Sequence, residues 1–575
     1  MWFRWFFFSV FTLLTLSACS ILNHAVGPES AAAPPEPKVE LPTRVRTASP
    51  KAYAHFLNAN RYRLKGDQKG ALEEIKKAEQ ADPGSPLLES YLASLYLQNG
   101  DLQKAADACE KALAMDPESV NLLMLTAGVY SSLKRQDDAV RIYEKVLRLN
   151  PGQHEAYIFL GTLYLQQGRT DPAVELFKRL SRIKNQESLG YYYLGRVYAN
   201  QKEFARAGRY FEKSIRTDPD FMQAYLSLGI LYEIEKKNDK AIQTYKKALK
   251  INPHQTQIQK RLSILYIQGN QMDKALSQLK ELSELEPNNA DAHLKVGLIY
   301  LQQENLSRAV EELRIALALE PGNVKAHFYL GAAYEGSEKL DLAEKEYLEV
   351  LSMMPDDLDT IFRLAQLYQK MDRLEKAVTL LMETREKLPD NPEVLLYLGM
   401  IYSIKKEDTK AVEVLQEAVR LNGNNDNLYF QLGVVYERLK RFDDAVAAFR
   451  KTIELNPDNG NALNYLGYMF AEKGINLKEA EDLIVRALKI RPEDAYYLDS
   501  LGWIYFKMGR FDDAVKYLEQ SNGNLPGDPV VTEHLGDAYF KAGYPEKARE
   551  YWEKALKTNP DDPSLLNKLN NGLPY

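Results

Sequence analysis

The sequence predicts an all-α solenoid of about 15 helical hairpins, and three columns of residues support this fold class. From residue 52 onward a 34-residue motif recurs, and its eighth position always holds Gly, Ala or Ser. An aromatic residue follows three positions later in every copy, and alanine marks the twentieth position, displaced by one residue in the thirteenth copy. Positions 4, 8 and 11, and again 20, 24 and 27, have the i, i+4, i+7 spacing of one helix face. Each copy is therefore predicted to form two packed helices.

The repeated columns extend through nearly the whole chain. The small residues of the eighth position are Ala59, Ala93, Ala127, Gly161, Gly195, Gly229, Ser263, Gly297, Gly331, Ala365, Gly399, Gly433, Gly467, Gly502 and Gly536. Together with the aromatic column from Tyr62 to Tyr539, they resemble the tetratricopeptide repeat family over residues 52–562. The resemblance implies a right-handed superhelix whose inner surface is formed by positions 2, 5, 9, 12 and 13 of the first helices. Because no hairpin buries its apolar face alone, stability is expected to come from contacts between neighbouring repeats.

Composition and charge restrict the function classes. With 45% hydrophobic and 27% charged residues, the 575-residue chain has enough apolar surface for a continuous core. The 74 Lys and Arg residues against 80 Asp and Glu residues give a formal charge of −6. The basic field that phosphate backbones require is missing, so no nucleic-acid partner is expected.

Residues 1–18 have the features of a signal peptide. Arg4 precedes about twelve mostly apolar residues, and small residues follow them. This apolar run is too short for a transmembrane helix, which needs about 20 residues to cross a hydrocarbon core of roughly 30 Å. We predict that the segment is removed from the exported protein.

The sequence Leu16-Ser17-Ala18-Cys19 resembles the lipobox of bacterial lipoproteins. The resemblance implies that the Cys19 thiol receives a diacylglyceryl group and that Cys19 becomes the first residue of the mature chain. Several acyl chains on one residue anchor a protein stably, because each buried methylene contributes about 0.8 kcal/mol. Ser20 follows, where inner-membrane lipoproteins of Gram-negative bacteria often carry Asp. The expected localisation is the cell envelope, with a lipid anchor in the outer membrane and the repeats facing the periplasm.

Residues 19–51 are predicted to join the lipidated cysteine to the repeats as a tether. Six prolines stand between positions 20 and 50, without apolar periodicity. Pro-rich segments stay extended and semi-rigid, so about thirty residues are long enough to hold the folded part several nanometres from a lipid surface.

Two features depart from the regular repeat. The thirteenth copy carries one extra residue at Ile475-Asn476-Leu477, which predicts a longer turn between its helices. Residues 563–575 are predicted to form a short amphipathic helix that caps the last hairpin, because solenoid ends need a cover.

The sequence predicts neither a catalytic centre nor a metal site. Its 7 histidines are scattered singly, without the spacing of a metal-binding motif. His55, His293 and His327 occupy the fourth repeat position, where other copies have Tyr, so we interpret them as packing residues. Cys109 occupies a position that holds aromatic residues elsewhere, which indicates a buried and unreactive thiol. No cofactor and no enzymatic activity are expected.

The inner positions of the middle repeats are predicted to form an amphipathic groove. Chaperone-tail binders of this family place Lys and Asn at positions 5 and 9 of one repeat, but here Lys260 is followed by Ile264, so that clamp is missing. The groove suits an extended or helical peptide segment. Its residues are Leu226, Ile230, Ile264, Ile267, Leu294, Leu298 and Leu301, mixed with Gln223, Gln257, Gln268 and Gln302.

The last three repeats contain a second candidate partner-binding surface. Aromatic rings beside hydrogen-bonding groups are typical of binding hot spots. Two interpretations remain open, because the same rings could instead pack against neighbouring repeats or the cap. The residues, all on inner positions, are Asn464, Tyr468, Tyr496, Asp499, Trp503, Phe506 and Phe540, with Glu533 and Asp537 beside them.

These observations favour an envelope-anchored scaffold that binds partner polypeptides in its groove. The lipobox, the tether, the array and the segments 464–474 and 496–514 also resemble repeat lipoproteins that act as adaptors for periplasmic carboxy-terminal processing proteases. Other lipoproteins of similar layout support exopolysaccharide export or pilus assembly. The periodicity leaves no stretch long enough for a separate catalytic domain.

Overall fold

The computed structural model describes residues 49–573 except 559 and 561, and the chain divides into two compact units at Asn305 and Leu306. The predicted signal peptide, Cys19 and the predicted tether up to residue 48 lie outside the described residues. Within the described residues, all regular secondary structure is α-helical, as predicted. The first helix begins at Pro50, two residues before the predicted start of the array.

The helices follow one another without interruption by other elements in the described ranges. The first unit contains α1 (Pro50–Leu64), α2 (Gln68–Ala81), α3 (Pro86–Gln98), α4 (Leu102–Met115), α5 (Val120–Ser132), α6 (Gln136–Leu149), α7 (His154–Gln166), α8 (Thr170–Leu180), α9 (Glu187–Asn200), α10 (Phe204–Thr217), α11 (Met222–Ile234), α12 (Asn238–Ile251), α13 (Thr256–Gln268), α14 (Met272–Leu285) and α15 (Ala290–Gln302). The second unit contains α16 (Leu306–Leu319), α17 (Val324–Gly336), α18 (Leu340–Met353), α19 (Leu358–Lys370), α20 (Leu374–Lys387), α21 (Pro392–Ile404), α22 (Asp408–Leu421), α23 (Asp426–Arg438), α24 (Phe442–Leu455), α25 (Gly460–Lys473), α26 (Leu477–Ile490), α27 (Ala495–Lys507), α28 (Phe511–Asn524), α29 (Pro529–Lys541), α30 (Pro545–Thr558) and α31 (Pro563–Asn571).

Close packing within each hairpin depends on the small eighth residue of the repeat. A Cβ atom on Gly229 would lie 2.0 Å from the Tyr245 ring, and one on Gly331 would lie 2.7 Å from the Tyr347 ring. Both rings are completely buried. The two helices therefore approach each other through a position that tolerates almost no side chain. Consecutive helix pairs confirm the predicted hairpin solenoid, while its superhelical hand stays a prediction.

The aromatic residue of position 11 connects neighbouring hairpins. The Tyr164 hydroxyl donates a hydrogen bond to Glu144 Oε1 at 2.6 Å, and the Tyr130 hydroxyl donates to Glu110 Oε1 at 2.8 Å. Burial, together with the Glu144 carboxylate, raises the pKa of Tyr164 to about 12. These contacts place the tyrosine column between neighbouring hairpins. Tyr62 is 39% exposed because no hairpin precedes it in the described range.

The turn between the two helices of each repeat uses a left-handed residue. Six copies have glycine there, and the φ angles of those glycines are positive, for example 79° at Gly66 and 76° at Gly509. The other copies place a residue with a side chain in the same conformation, such as Lys236 with φ 56°. In the thirteenth copy the extra residue continues this turn, since Gly474 and Asn476 both have positive φ.

The C-terminal helix α31 packs against α30 in the region where a cap was predicted. Leu565 is only 1% exposed, and Asp562 caps the helix by accepting hydrogen bonds from the backbone of Ser564 and Leu565. Within the part of the chain that the structure describes, no helix has both the length and the apolar character needed to cross a membrane.

Candidate functional site

The seven residues predicted as a C-terminal binding surface lie on three first helices of the second unit. Asn464 and Tyr468 belong to α25, Phe540 belongs to α29, and the remaining four belong to α27. Their environments differ strongly, so the structure separates them into a buried group and a more accessible group.

Trp503 is buried between repeats and does not line an open surface. It is 8% exposed, its ring stacks on Phe506 at 4.7 Å and on His534 at 4.0 Å, and its Nε1 donates a hydrogen bond to Glu472 Oε1 at 2.5 Å. The structure at Trp503 therefore matches the second of the two interpretations, packing against neighbouring repeats, because residues of the preceding and following repeats enclose the indole. Phe506 is half-buried and also contacts the Phe511 ring, 5.7 Å away between centroids.

Asp499 is buried as well, and it serves a neighbouring histidine. His534 Nδ1 lies 3.0 Å from Asp499 Oδ1, and both residues are buried. Burial alone would lower the pKa of His534, but the charge and hydrogen bond of Asp499, helped by Asp537 and Glu472, raise that pKa above its ordinary value. Asp499 was predicted to face a partner, but its carboxylate is engaged within the protein.

Phe540 lies under the C-terminal cap. Gly572 approaches its ring so closely that a Cβ atom there would lie 2.6 Å away, and the Trp552 ring lies 5.5 Å from it on the other helix of the hairpin. Lys568 of α31 donates hydrogen bonds to Glu533 at 2.6 Å and to Asp537 at 2.7 Å. The cap therefore contacts Phe540, Glu533 and Asp537, which matches the interpretation that this ring packs against the cap.

Tyr496, Tyr468 and Asn464 are, like Phe506 and Phe540, not buried. Tyr496 is 59% exposed, and Tyr468 and Asn464 are half-buried. Burial, followed by the charges of Glu472 and Asp499, raises the pKa of Tyr468. The Asn464 side-chain oxygen is buried and accepts no hydrogen bond within the described residues. Partner binding by these three residues stays a prediction.

Sequence reasoning missed the residues that hold this cluster together, namely Glu472, His534 and Lys568. His534 occupies the sixth position of its repeat, where the two preceding copies have Tyr465 and Ser500. An ionisable residue at a position that faces the preceding repeat could have indicated a buried polar contact. Its partner Asp499 lies 35 residues away along the chain, so the sequence did not identify the pair.

The groove predicted from the middle repeats lies on α11, α13 and α15 of the first unit. Leu226, Ile264, Ile267 and Leu298 are half-buried, so each still presents part of its side chain. Ile230, Leu294 and Leu301 are buried.

The charged residues beside these apolar positions are paired with one another. Glu233 lies 3.2 Å from Arg261 and accepts a hydrogen bond from Tyr245. Lys260 contacts Glu286 at 2.7 Å, and Lys295 contacts Asp291 at 2.6 Å. This surface therefore presents apolar side chains and uncharged glutamines and is close to neutral. In the described ranges, no group of three or more His, Cys, Asp or Glu side chains could hold a metal ion.

Comparison with known families agrees with this architecture. Residues 69–260 match the C-terminal ARM domain of tetratricopeptide repeat protein 21. Several further families, each described as a tetratricopeptide repeat, match residues 234–299, 297–357, 336–398, 392–425, 427–459, 495–521 and 533–562.

Individual proteins are similar over shorter stretches or at low identity. The TPR repeat-containing protein PA4667 of Pseudomonas aeruginosa is 40% identical over 65 residues, which is 11% of this chain and 11% of that protein. The crystal structure of the APC/C hetero-tetramer Cut9-Hcn1 aligns at 17% identity and a TM-score of 0.38, over 92% of this chain and 97% of that one. The structure of Pseudomonas aeruginosa pilF aligns at 22% identity and a TM-score of 0.31, over 36% of this chain and 94% of that one. TM-scores this low carry no argument about function. The family matches and the repeated hairpins together establish that this chain belongs to the tetratricopeptide repeat proteins.

Proposed function

We propose that this protein is a lipid-anchored interaction scaffold of the bacterial cell envelope, which holds partner polypeptides on the inner positions of its repeats. The tetratricopeptide repeat matches support the interaction scaffold. The signal-peptide pattern, the lipobox ending at Cys19 and the proline-rich stretch before Pro50 support the anchored location in the outer membrane, facing the periplasm.

The observation that carries the proposal is the half-buried apolar surface of α11, α13 and α15. Its charged neighbours are neutralised internally, so a charged partner gains little there, whereas apolar side chains gain about 25 cal/mol for each Å² that they remove from water. The preferred partner is an amphipathic helix or extended segment that presents apolar side chains at regular spacing. Neither nucleic acid nor a cofactor has a part in this function.

Site-specific cross-linking tests the groove. A photo-reactive amino acid at Ile264 should capture a partner polypeptide in intact cells, and one at Ile251, which is 42% exposed at the end of α12, should not. Ile264→Gln should weaken capture from a reporter at Leu298, while Ile251→Gln should leave it unchanged. Equal capture from both positions would contradict a groove. The captured protein would also distinguish a protease adaptor from an export or pilus assembly factor.

A separate experiment tests the anchor. An alkyne analogue of palmitate should label the wild-type protein and should not label Cys19→Ser. The wild type should also sediment with outer-membrane vesicles, while the variant should be released with the soluble periplasmic fraction. Equal labelling of both proteins would rule out Cys19 as the lipid attachment residue.

A further inference from the structure

A cleft of about 340 Å³ opens between the fifth and sixth repeats, away from the groove. Its walls come from α10, α11 and α12. Tyr225, Leu228 and Tyr232 of α11 occupy repeat positions 4, 7 and 11, and none of these is an inner position of the repeat. The cleft is therefore a different surface from the one that we propose for partner polypeptides.

Position 23 of the sixth repeat places a short side chain in the lining of the cleft. Thr244 occupies this position, whereas Leu176 and Leu380 stand there in the fourth and tenth repeats. Thr244 is buried, and its hydroxyl donates to the backbone oxygen of Lys240 at 2.8 Å. Tyr225 and Leu228 are buried as well, and they contribute apolar atoms to a lining of mixed polar and apolar character.

Three exposed cations, Arg216, Lys240 and Lys247, line the same cleft. Among the described residues none of them has a carboxylate within ion-pair distance. In contrast, the lysines equivalent to Lys240 in the second and eleventh repeats are paired, Lys104 with Asp101 at 3.3 Å and Lys410 with Glu407 at 2.8 Å.

The difference has a local cause. In the sixth repeat, Lys237 stands where the other two repeats have Asp101 and Glu407. Lys237 is itself paired with Glu235 at 2.9 Å, so it leaves Lys240 without a carboxylate of its own.

Glu212 is the carboxylate among the residues that line the cleft, and it is already hydrogen-bonded within the protein. Glu212 accepts a hydrogen bond from the Tyr232 hydroxyl at 3.1 Å, and the Lys240 ammonium lies 5.8 Å from the centre of the Tyr232 ring. Three cations thus face one engaged carboxylate around a partly apolar floor. Such a site favours a ligand that combines negative charge with a flat apolar group.

We propose that this cleft binds an organic anion, a phosphate or carboxylate attached to an aromatic or similar apolar group. Arg216, Lys240 and Lys247 contact the anionic group, and the apolar group lies on Tyr225 and Leu228. A free small molecule and an acidic side chain beside an aromatic residue on a partner polypeptide share this chemistry.

Titration calorimetry of the full chain with phenyl phosphate tests the site. We expect saturable binding that is at least about tenfold tighter than that of inorganic phosphate, because only phenyl phosphate contacts the floor. Thr244→Leu fills the cleft with the residue of two other repeats and should weaken phenyl phosphate binding by at least about tenfold, without removing a charge. Lys240→Gln combined with Lys247→Gln should have a similar effect.

Lys104→Gln combined with Lys410→Gln is the matched control and should bind like the wild type. Circular dichroism of each variant establishes that its helices are intact. The capped peptide acetyl-Phe-Glu-Phe-amide distinguishes the two sources, since tighter binding of the peptide indicates a polypeptide ligand and tighter binding of phenyl phosphate a small molecule. Absence of saturable binding of both probes by the wild type, or unchanged binding of phenyl phosphate by Thr244→Leu, would overturn the proposal.

Discussion

His534 and Asp499 form a buried pair in which Nδ1 of the imidazole lies 3.0 Å from Oδ1 of the carboxylate. The two residues belong to first helices of consecutive repeats, α29 and α27, so the pair stabilises the interface between repeats and not either hairpin alone. Trp503 stacks on the same imidazole and extends this contact to Glu472 of the thirteenth repeat.

The pair predicts pH-dependent stability of the C-terminal repeats. Because Asp499, Asp537 and Glu472 raise the folded-state pKa of His534 above 6.5, protonation stabilises the folded state. The contribution should be complete below about pH 6.5, the ordinary histidine pKa, and should be lost as pH rises through the folded-state pKa.

Urea unfolding of the wild type and His534→Gln from pH 5 to pH 9 measures this contribution. Tryptophan fluorescence is a suitable signal, since Trp503 and Trp552 both lie in the C-terminal repeats. The difference in unfolding free energy should be largest at acidic pH and should shrink toward pH 9. A difference that is constant, or that grows with pH, would contradict the assignment.

Trp503→Ala is expected to destabilise the fourteenth repeat by about 3–5 kcal/mol, because it removes a buried ring and leaves a cavity. Tyr496→Ala is the matched control, and its unfolding free energy should stay within about 0.5 kcal/mol of the wild-type value because Tyr496 is exposed. Chemical denaturation of both variants decides between a structural and a surface role. A Trp503→Ala protein of wild-type stability would restore this residue to the candidate binding surface.

Gly502→Leu should overpack the same hairpin and cost roughly 1–3 kcal/mol or more. A Cβ atom there would lie 2.6 Å from Leu518 Cγ and 3.2 Å from the Ala514 backbone oxygen. Gly523→Ala in α28 is the control, because its Cβ atom meets nothing within 4 Å, and it should raise stability by roughly 0.5–1 kcal/mol through helix propensity. Thermal unfolding that ranks the two variants in the opposite order would refute the hairpin register.

Cys109 is expected to resist alkylation in the folded protein. Burial raises its thiol pKa to about 11, and the side chain is 1% exposed. At pH 8 iodoacetamide should modify Cys109 only after denaturation, as measured by mass spectrometry of the peptide that contains it. Rapid modification of the folded protein would contradict the prediction of an inert thiol.

Lys236→Gly should raise the unfolding free energy by up to about 1 kcal/mol, because glycine adopts the left-handed conformation of this turn without a Cβ penalty. Lys246→Gly in the middle of α12 is the counterpart, and it should lower stability by about 1 kcal/mol. Hydrogen exchange of the sixth repeat resolves both effects. Equal destabilisation by the two substitutions would argue against the left-handed turn at Lys236.

The hairpin architecture was predictable because every copy uses the same columns for the same contacts, so Gly229 and Tyr245 repeat a relationship present throughout the array. The environment of Trp503 was not predictable from its repeat position. It depends on Glu472 and His534, which neighbouring repeats contribute. The same positions hold other residue types in the other copies of the repeat. The cleft beside Thr244 was hidden for a similar reason, since it combines unpaired cations of α10 and α12 with apolar residues of α11.

The left-handed turns also determine which copies of the repeat unfold most easily under a pulling force. The first, second and fourth copies and the last three have glycine at this turn, while all eight copies from the fifth to the twelfth have a side chain there, from Lys202 to Lys440. Each such residue adopts the left-handed conformation at a conformational cost of roughly 1–2 kcal/mol, which lowers the stability of its hairpin. If the ends of the chain are drawn apart, the central copies should therefore yield before the terminal ones. The protein would lengthen under load from its middle while its terminal hairpins stay folded.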